Sequence, residues 1–348
     1  MTSAIPEQNA RPLRIAIIGA GLMGYWHGRT ACRLGSQVVA VVDPDANRAR
    51  SLARVCRAAA IAADASEILR RGSLDSVHIC SPASTHGALA AQVLEAGIHA
   101  LVEKPLAKSA DETRRLFGIA QRNSVILCPV HQIAFQAGIE DAAQALAGLG
   151  DPCTIDFRIC SAGGVGRSES DLDDIVGDIL PHPFSVLRRL WPHAIWEPHR
   201  WFVSRPRSGE LLVGGEHAGA LFSLLVSMRA RPTCFEMTVH GERGTIALDF
   251  FHGFAIRYHG NVSRLRKLMR PFGTSLKLFG AASMNLIDRG LRGEAAYPGL
   301  RQLTRAFYAA VRGVGPPPIS AEDAVAVAVA RDAILAGSNK LVRGTFVA

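Results

Sequence analysis

A chain of 348 residues is longer than one ordinary hydrophobic core accommodates, so two domains are expected. With 48% hydrophobic and 20% charged residues, composition excludes whole-chain disorder, and no apolar run is long enough to span a bilayer. The formal net charge of +9 suits an acidic partner, but no nucleic-acid-binding motif accompanies it, so nucleic acid is not expected.

Residues 1–13 lack the apolar stretch of a signal peptide and read as a disordered tail. The first half then alternates short β-branched runs with helical stretches. Strands are expected at Arg14–Ile18, Gln37–Val42, Val77–Cys80, Ile98–Val102 and Val125–Val130. Their continuous apolar texture is that of parallel strands covered on both faces. Helices are expected at Tyr25–Leu34, Ala46–Cys56, Ser66–Arg71, Thr85–Ala96 and Ala110–Arg122. Past Val130 a helix at Ile139–Leu146 gives way to extended runs: Thr154–Cys160, Glu210–Val213, Ala218–Arg229, Cys234–His240, Thr245–Phe250 and Phe254–Tyr258. No long helix separates them, which points to an open, mostly antiparallel sheet. Ser161–Val176, rich in Gly, Ser and Asp, reads as a loop. Two helices close the chain, Leu300–Arg312 and Ala321–Leu335. The fold class is therefore α/β, with an N-terminal Rossmann domain (14–130) and a C-terminal α/β domain (131–348). The last helix is expected to pack back on the Rossmann domain.

Seven cysteines without a CxxC pair fit free thiols in a reducing cytoplasm, and no local cluster has metal-ligand spacing, so no metal is expected. Positive charge concentrates between Arg257 and Arg292, where a solvated basic face and an anionic partner such as lipid or a carrier domain are both open readings. Trp191, Trp196 and Trp201 read as core or interface residues.

Gly19-Ala-Gly21-Leu22-Met23-Gly24 follows a strand and opens a helix. Gly19 suits the tight turn, Gly21 close approach of a pyrophosphate, and Gly24 strand–helix packing, with the phosphates on the helix amides. Asp43 ends the next strand, near the roughly 20-residue spacing of a ribose-binding acid. Its carboxylate favours NAD over NADP, although Arg48 leaves a 2′-phosphate open.

Three further motifs complete the pattern: Cys80-Ser81-Pro82-Ala-Ser-Thr-His86 at a strand end, Glu103-Lys104-Pro105 after the next strand, and Asp178-Ile-Leu-Pro-His182. With the glycine turn, they resemble the Gfo/Idh/MocA family of glucose–fructose oxidoreductase and inositol dehydrogenase. That resemblance implies reversible hydride transfer on a sugar, nucleotide sugar or cyclitol, by a homodimer or homotetramer. Lys104 then matches the catalytic lysine, and Glu103 orients Lys104 or the cofactor. Pro105 shapes the turn, and a cis peptide there is one way to do so. Ser81, Pro82 and His86 join the cofactor site, and Asp178 and His182 form the substrate-side pair. Pro183, in place of a common acid, suggests a helix starting there with Asp178 on the loop before it. His131, past a strand end, is a further substrate-facing candidate. Two rivals keep the fold: a glycosidase that uses redox transiently, and a dinucleotide sensor without catalysis.

Overall fold

The computed structural model describes residues 11–70, 72–260, 264–294 and 296–341. Most of the expected tail, residues 1–10, lies outside that set. Arg11–Leu13 does not fray: the Arg11 guanidinium pairs with both Asp75 oxygens at 2.7 Å, and Leu13 is buried.

Two compact units divide the chain. The first contains residues up to Val130 together with Leu303–Ser320. Its strands are β1 (Arg14–Ile18), β2 (Gln37–Val42), β3 (Ala60–Ala62), β4 (Ser76–Ile79), β5 (His99–Val102) and β6 (Leu127–Pro129). They form one sheet in the order β3-β2-β1-β4-β5-β6, parallel throughout. That order reverses direction between β1 and β4, the place where open α/β sheets take their ligands. The connecting helices are α1 (Leu22–Arg33), α2 (Ala46–Cys56), α3 (Ala65–Leu69), α4 (Ala83–Glu95) and α5 (Ala110–Arg122). Local chemistry starts several of them: Asp45 accepts from the Asn47 and Arg48 amides before α2, and Ser109 accepts from the Glu112 amide before α5.

The second unit contains 131–302 and the chain from Ala321 onward. Helix α6 (Ala137–Leu146) leads to a seven-stranded sheet of β7 (Pro152–Cys160), β8 (Phe202–Ser204), β9 (Glu210–His217), β10 (Ala220–Ser227), β11 (Cys234–Gly241), β12 (Gly244–Asp249) and β13 (Phe254–His259). The order is β13-β12-β11-β7-β10-β9-β8, antiparallel except for the β7–β10 pair. β10 alternates buried Phe222, Leu224 and Val226 with exposed Leu221 and Leu225, so one face carries the core and the other is open.

Helices α7 (Glu169–Ile179) and α8 (Pro181–Leu190) follow β7. The stretch read as a loop therefore becomes helical from Glu169. The Ser168 hydroxyl accepts from the Asp171 amide while the Asp171 carboxylate reaches back to Ser168, a capping box. The chain closes with α9 (Arg264–Arg292), α10 (Leu300–Val311) and α11 (Ala321–Leu341). The last helix was expected to pack back on the Rossmann domain; α11 packs on α8 and β8 in the second unit. Arg188 on α8 pairs with Asp323 across that contact. The segment that rejoins the first unit is instead Leu303–Ser320, through the buried Phe307 and Tyr308 of α10. No helix among the described residues is long and apolar enough to cross a membrane.

Candidate functional site

In the first unit the chain leaves β1 through Gly19-Ala20-Gly21 and enters α1 at Leu22. Gly19 has φ of +96°, and a Cβ there would lie 2.6 Å from the Cys80–Ser81 peptide, so the turn requires glycine. A Cβ on Gly24 would overlap the Gly19 carbonyl oxygen; its absence lets α1 close against the turn. Gly21 is different: it is exposed, and the space its Cβ would take is open. It caps α1 without a side chain, so no capping group competes for the first-turn amides of Leu22, Met23 and Gly24. An open cradle over a helix N-terminus fits a dinucleotide's diphosphate.

Asp43 ends β2 beside this turn. Its Oδ2 accepts the Ala20 amide at 2.7 Å, and its Oδ1 accepts the Asp45 amide at 2.9 Å. The carboxylate thus holds the glycine turn in place, and each oxygen keeps capacity for a ribose hydroxyl. Ser81 and Pro82 lie at the end of β4, where the Ser81 hydroxyl meets Thr85 Oγ1 at 2.7 Å and Thr85 donates to the Pro82 carbonyl.

His86 departs from its expected role as a cofactor ligand. It is 1% exposed, and its two ring nitrogens each lie 2.8 Å from a backbone carbonyl, Pro105 O and Ser81 O. Lodged between these two carbonyls, it clasps the loop after β4 to the loop after β5. The latter carries Glu103-Lys104-Pro105, with the Lys104–Pro105 peptide cis and Lys104 half-buried.

Glu103 is almost sealed from solvent. Its Oε2 accepts the Lys104 amide at 3.2 Å, and its Oε1 lies 3.1 Å from His27 Nε2 on α1. His27 Nδ1 lies 3.1 Å from His78 Nδ1 on β4, and His78 Nε2 is 3.0 Å from the Tyr308 hydroxyl on α10. Burial, reinforced by His27, pushes His78 well below the ordinary histidine range, and burial raises the Tyr308 phenol. The Glu103 carboxylate at the end of the chain accepts, and that sets the direction of donation. Tyr308 O–H donates to His78 Nε2, His78 Nδ1–H to His27 Nδ1, and His27 Nε2–H to Glu103. Four buried side chains thus end, fully bonded, on the residue before Lys104. Sequence reading missed His27, His78 and Tyr308. The available signal was polar residues in buried positions: His27 on the inward face of α1 with Gly24, Gly28 and Ala31, and His78 inside an apolar strand.

In the second unit, His131 is buried just before a 3-10 turn at Gln132–Phe135. Asp178 lies in the last turn of α7, not on a loop, because α8 begins at Pro181 and Leu180 between the helices is itself helical (φ −52°, ψ −35°). Both prolines, Pro181 and Pro183, fall in the first turn of α8, where a missing amide hydrogen breaks no helical bond. His182 is half-buried against the Phe235 ring, 6.1 Å between centroids, and its carbonyl accepts the Ser185 hydroxyl at 2.8 Å. Trp196 and Trp201 join Phe184, Phe222 and His217 in an aromatic cluster, the core reading of these tryptophans. Neither ring nitrogen of His217 meets a hydrogen-bond partner. Burial, with Arg188 nearby, lowers its pKa to about 4.

Fold, glycine turn and strand-end motifs define a dinucleotide-binding Rossmann architecture. Residues 13–131 match the GFO_IDH_MocA family model, described as "Oxidoreductase family, NAD-binding Rossmann fold". Among curated relatives, the chain is 32% identical over 140 residues to a UDP-N-acetylglucosamine 3-dehydrogenase of Acidithiobacillus ferrooxidans, covering 40% of this chain and 43% of that one. It is 34% identical over 108 residues to inositol 2-dehydrogenase 4 of Saccharopolyspora erythraea, covering 30% and 32%. The chain thus spans less than half the length of these relatives. Solved structures extend the likeness in fold to nearly the whole chain. GnnA, a UDP-N-acetylglucosamine 3-dehydrogenase from Acidithiobacillus ferrooxidans, superimposes with a TM-score of 0.73 at 20% identity over 95% of this chain and 99% of that one. The WlbA dehydrogenase from Bordetella pertussis, solved with NADH and UDP-GlcNAcA, gives 0.72 at 16% identity over 95% and 97%.

Proposed function

We propose that the protein is an NAD-dependent dehydrogenase or reductase acting on a CH–OH or C=O carbon of a sugar, nucleotide sugar or cyclitol. The observation that carries this reading is the arrangement of the first unit. A diphosphate cradle at α1 and a half-buried lysine after β5 lie on one parallel sheet, with the lysine's loop braced by Glu103 and His86. The named relatives, dehydrogenases of a nucleotide sugar and of inositol, support the substrate class.

When bound, the nicotinamide supplies or accepts hydride at its C4. The Leu22, Met23 and Gly24 amides would hold the diphosphate, Asp43 would accept from the adenosine ribose hydroxyls and disfavour a 2′-phosphate, and Ser81 and Pro82, after β4, would join the cofactor site. Lys104 gives a proton to the substrate oxygen during reduction and takes one during oxidation. Glu103 positions Lys104 through its backbone amide. His182 binds a substrate hydroxyl and serves as a second acid or base, with Asp178 orienting it and His131 adding a polar contact. Free thiols at all seven cysteines suit a cytoplasmic setting. The open sheet face, with Leu212, Leu221 and Leu225 exposed, suits a homodimer or homotetramer.

A paired fluorescence titration with NADH and NADPH tests the site, followed by turnover assays on sugars, UDP-sugars and inositols. Tighter NADH binding and reduction of NAD by one of these substrates are expected. Binding of neither dinucleotide would overturn the proposal, and NADPH preference would overturn the role of Asp43.

A further inference from the structure

Helix α9 is turned inside out. It runs for 29 residues, about 43 Å at the usual rise. Leu268, Met269, Phe272, Leu276, Phe279 and Ile287 recur at helical spacing and form one apolar stripe. A surface helix ordinarily buries such a stripe, yet Phe272 is 69% exposed, Leu276 73% and Phe279 71%. The polar side meets the rest of the unit instead. Lys277 Nζ donates to the Arg257 carbonyl at 3.2 Å and lies over the Tyr258 ring, while Asn285 and Arg289 donate to the His252 carbonyl at 2.8 and 3.3 Å.

Charge selects the occupant. The helix sequence carries seven Lys or Arg residues and one acid, Asp288, and Arg270, Lys277 and Arg292 remain exposed. A second copy packed on the stripe would bring one basic helix against another. Pro271, Gly273, Gly280 and Gly290 also give the helix poor intrinsic propensity, so burial of the stripe is its natural support. An anionic bilayer supplies both needs: apolar depth for the phenylalanines and leucines, and phosphates for the arginines and lysines.

We propose that α9 is an in-plane membrane-binding helix that docks the protein on an anionic lipid surface. Its apolar stripe enters the boundary between headgroups and acyl chains, and its basic side chains stay at headgroup level. This inference goes beyond the dehydrogenase reading and stands without it.

Flotation of the full chain tests it, with vesicles of phosphatidylcholine alone and of phosphatidylcholine containing about 30% phosphatidylglycerol. The protein is expected to float with the mixed vesicles only, and to be released by salt on the order of 1 M. The double variant Phe272→Glu, Phe279→Glu should weaken partitioning at least about 100-fold. Arg270→Glu with Arg292→Glu should weaken it at least about 30-fold. These side chains are exposed, so thermal melts of both variants should match the parent. Equal binding to neutral vesicles, or none to anionic ones, overturns the proposal. So does light scattering that shows a dimer converted to monomers by the phenylalanine variant, since a second copy would then cover the stripe.

Discussion

His27, His78 and His86 in the first unit and His217 in the second are all nearly sealed from solvent, and the two units treat them in opposite ways. Every ring nitrogen of the first three lies within hydrogen-bonding distance of a carboxylate, a carbonyl, a phenol or another imidazole. His217 packs among aromatic rings, and neither of its ring nitrogens meets a hydrogen-bond partner. A buried imidazole with directed partners fixes the geometry of whatever holds it, here the loops that carry Lys104. One without partners contributes shape and little direction, and it leaves a site where protonation is costly.

Three experiments break or sharpen that contrast. The largest effect is expected where the bonded chain meets chemistry: Lys104→Ala should lower turnover by on the order of 10² to 10⁴ with NADH affinity nearly intact. Normal turnover in steady-state assays would detach the buried chain from catalysis. Next in size is His78→Leu, which strands the Tyr308 hydroxyl and the His27 ring and should reduce stability by about 2–3 kcal/mol in urea titrations. Tyr308→Phe removes one donor only and should cost about 1 kcal/mol. Equal losses for the two would mean that the chain does not act as a connected unit. The effect confined to acid pH, and smallest near neutrality, concerns His217. It gains its proton near pH 4 in the folded protein but near 6.5 when unfolded. Between those values the unfolded chain binds more protons, so stability falls as pH drops through that window, by about 1.4 kcal/mol per pH unit for one such group. His217→Leu should lower the proton uptake on unfolding by about one across that range. An unchanged pH slope would assign the acid sensitivity to the first unit's histidines instead.

The glycine turn, Asp43 and the strand-end motifs were legible because each is a local pattern with a local physical cause. Strand β3 and helix α7 were less so: three residues at Ala60–Ala62 give no period, and the Gly- and Ser-rich approach to Glu169 hides the Ser168 cap. Helix α9 escaped because its proline, glycines and basic residues read as a charged segment, and its apolar stripe does not face a core. The bond between His78 and Tyr308 joins residues 230 apart, a pairing that only the folded chain reveals. The partner of the last helix was misjudged for the same reason, since α10 and α11 are both amphipathic or apolar and packing alone decides which unit each one joins.

Phe307 and Tyr308 complete the interior of a unit whose other residues end at Val130. The dinucleotide-binding unit is therefore discontinuous, with 131–302 inserted between its two pieces. During synthesis the glycine turn, Asp43 and Lys104 all emerge early, but the last members of their core are made more than 170 residues later. Synthesis delivers the intervening sheet strands first, so the Rossmann unit is begun first and finished late. A chain cut at Val130 would keep the whole glycine fingerprint and lose the phenol that closes the buried relay.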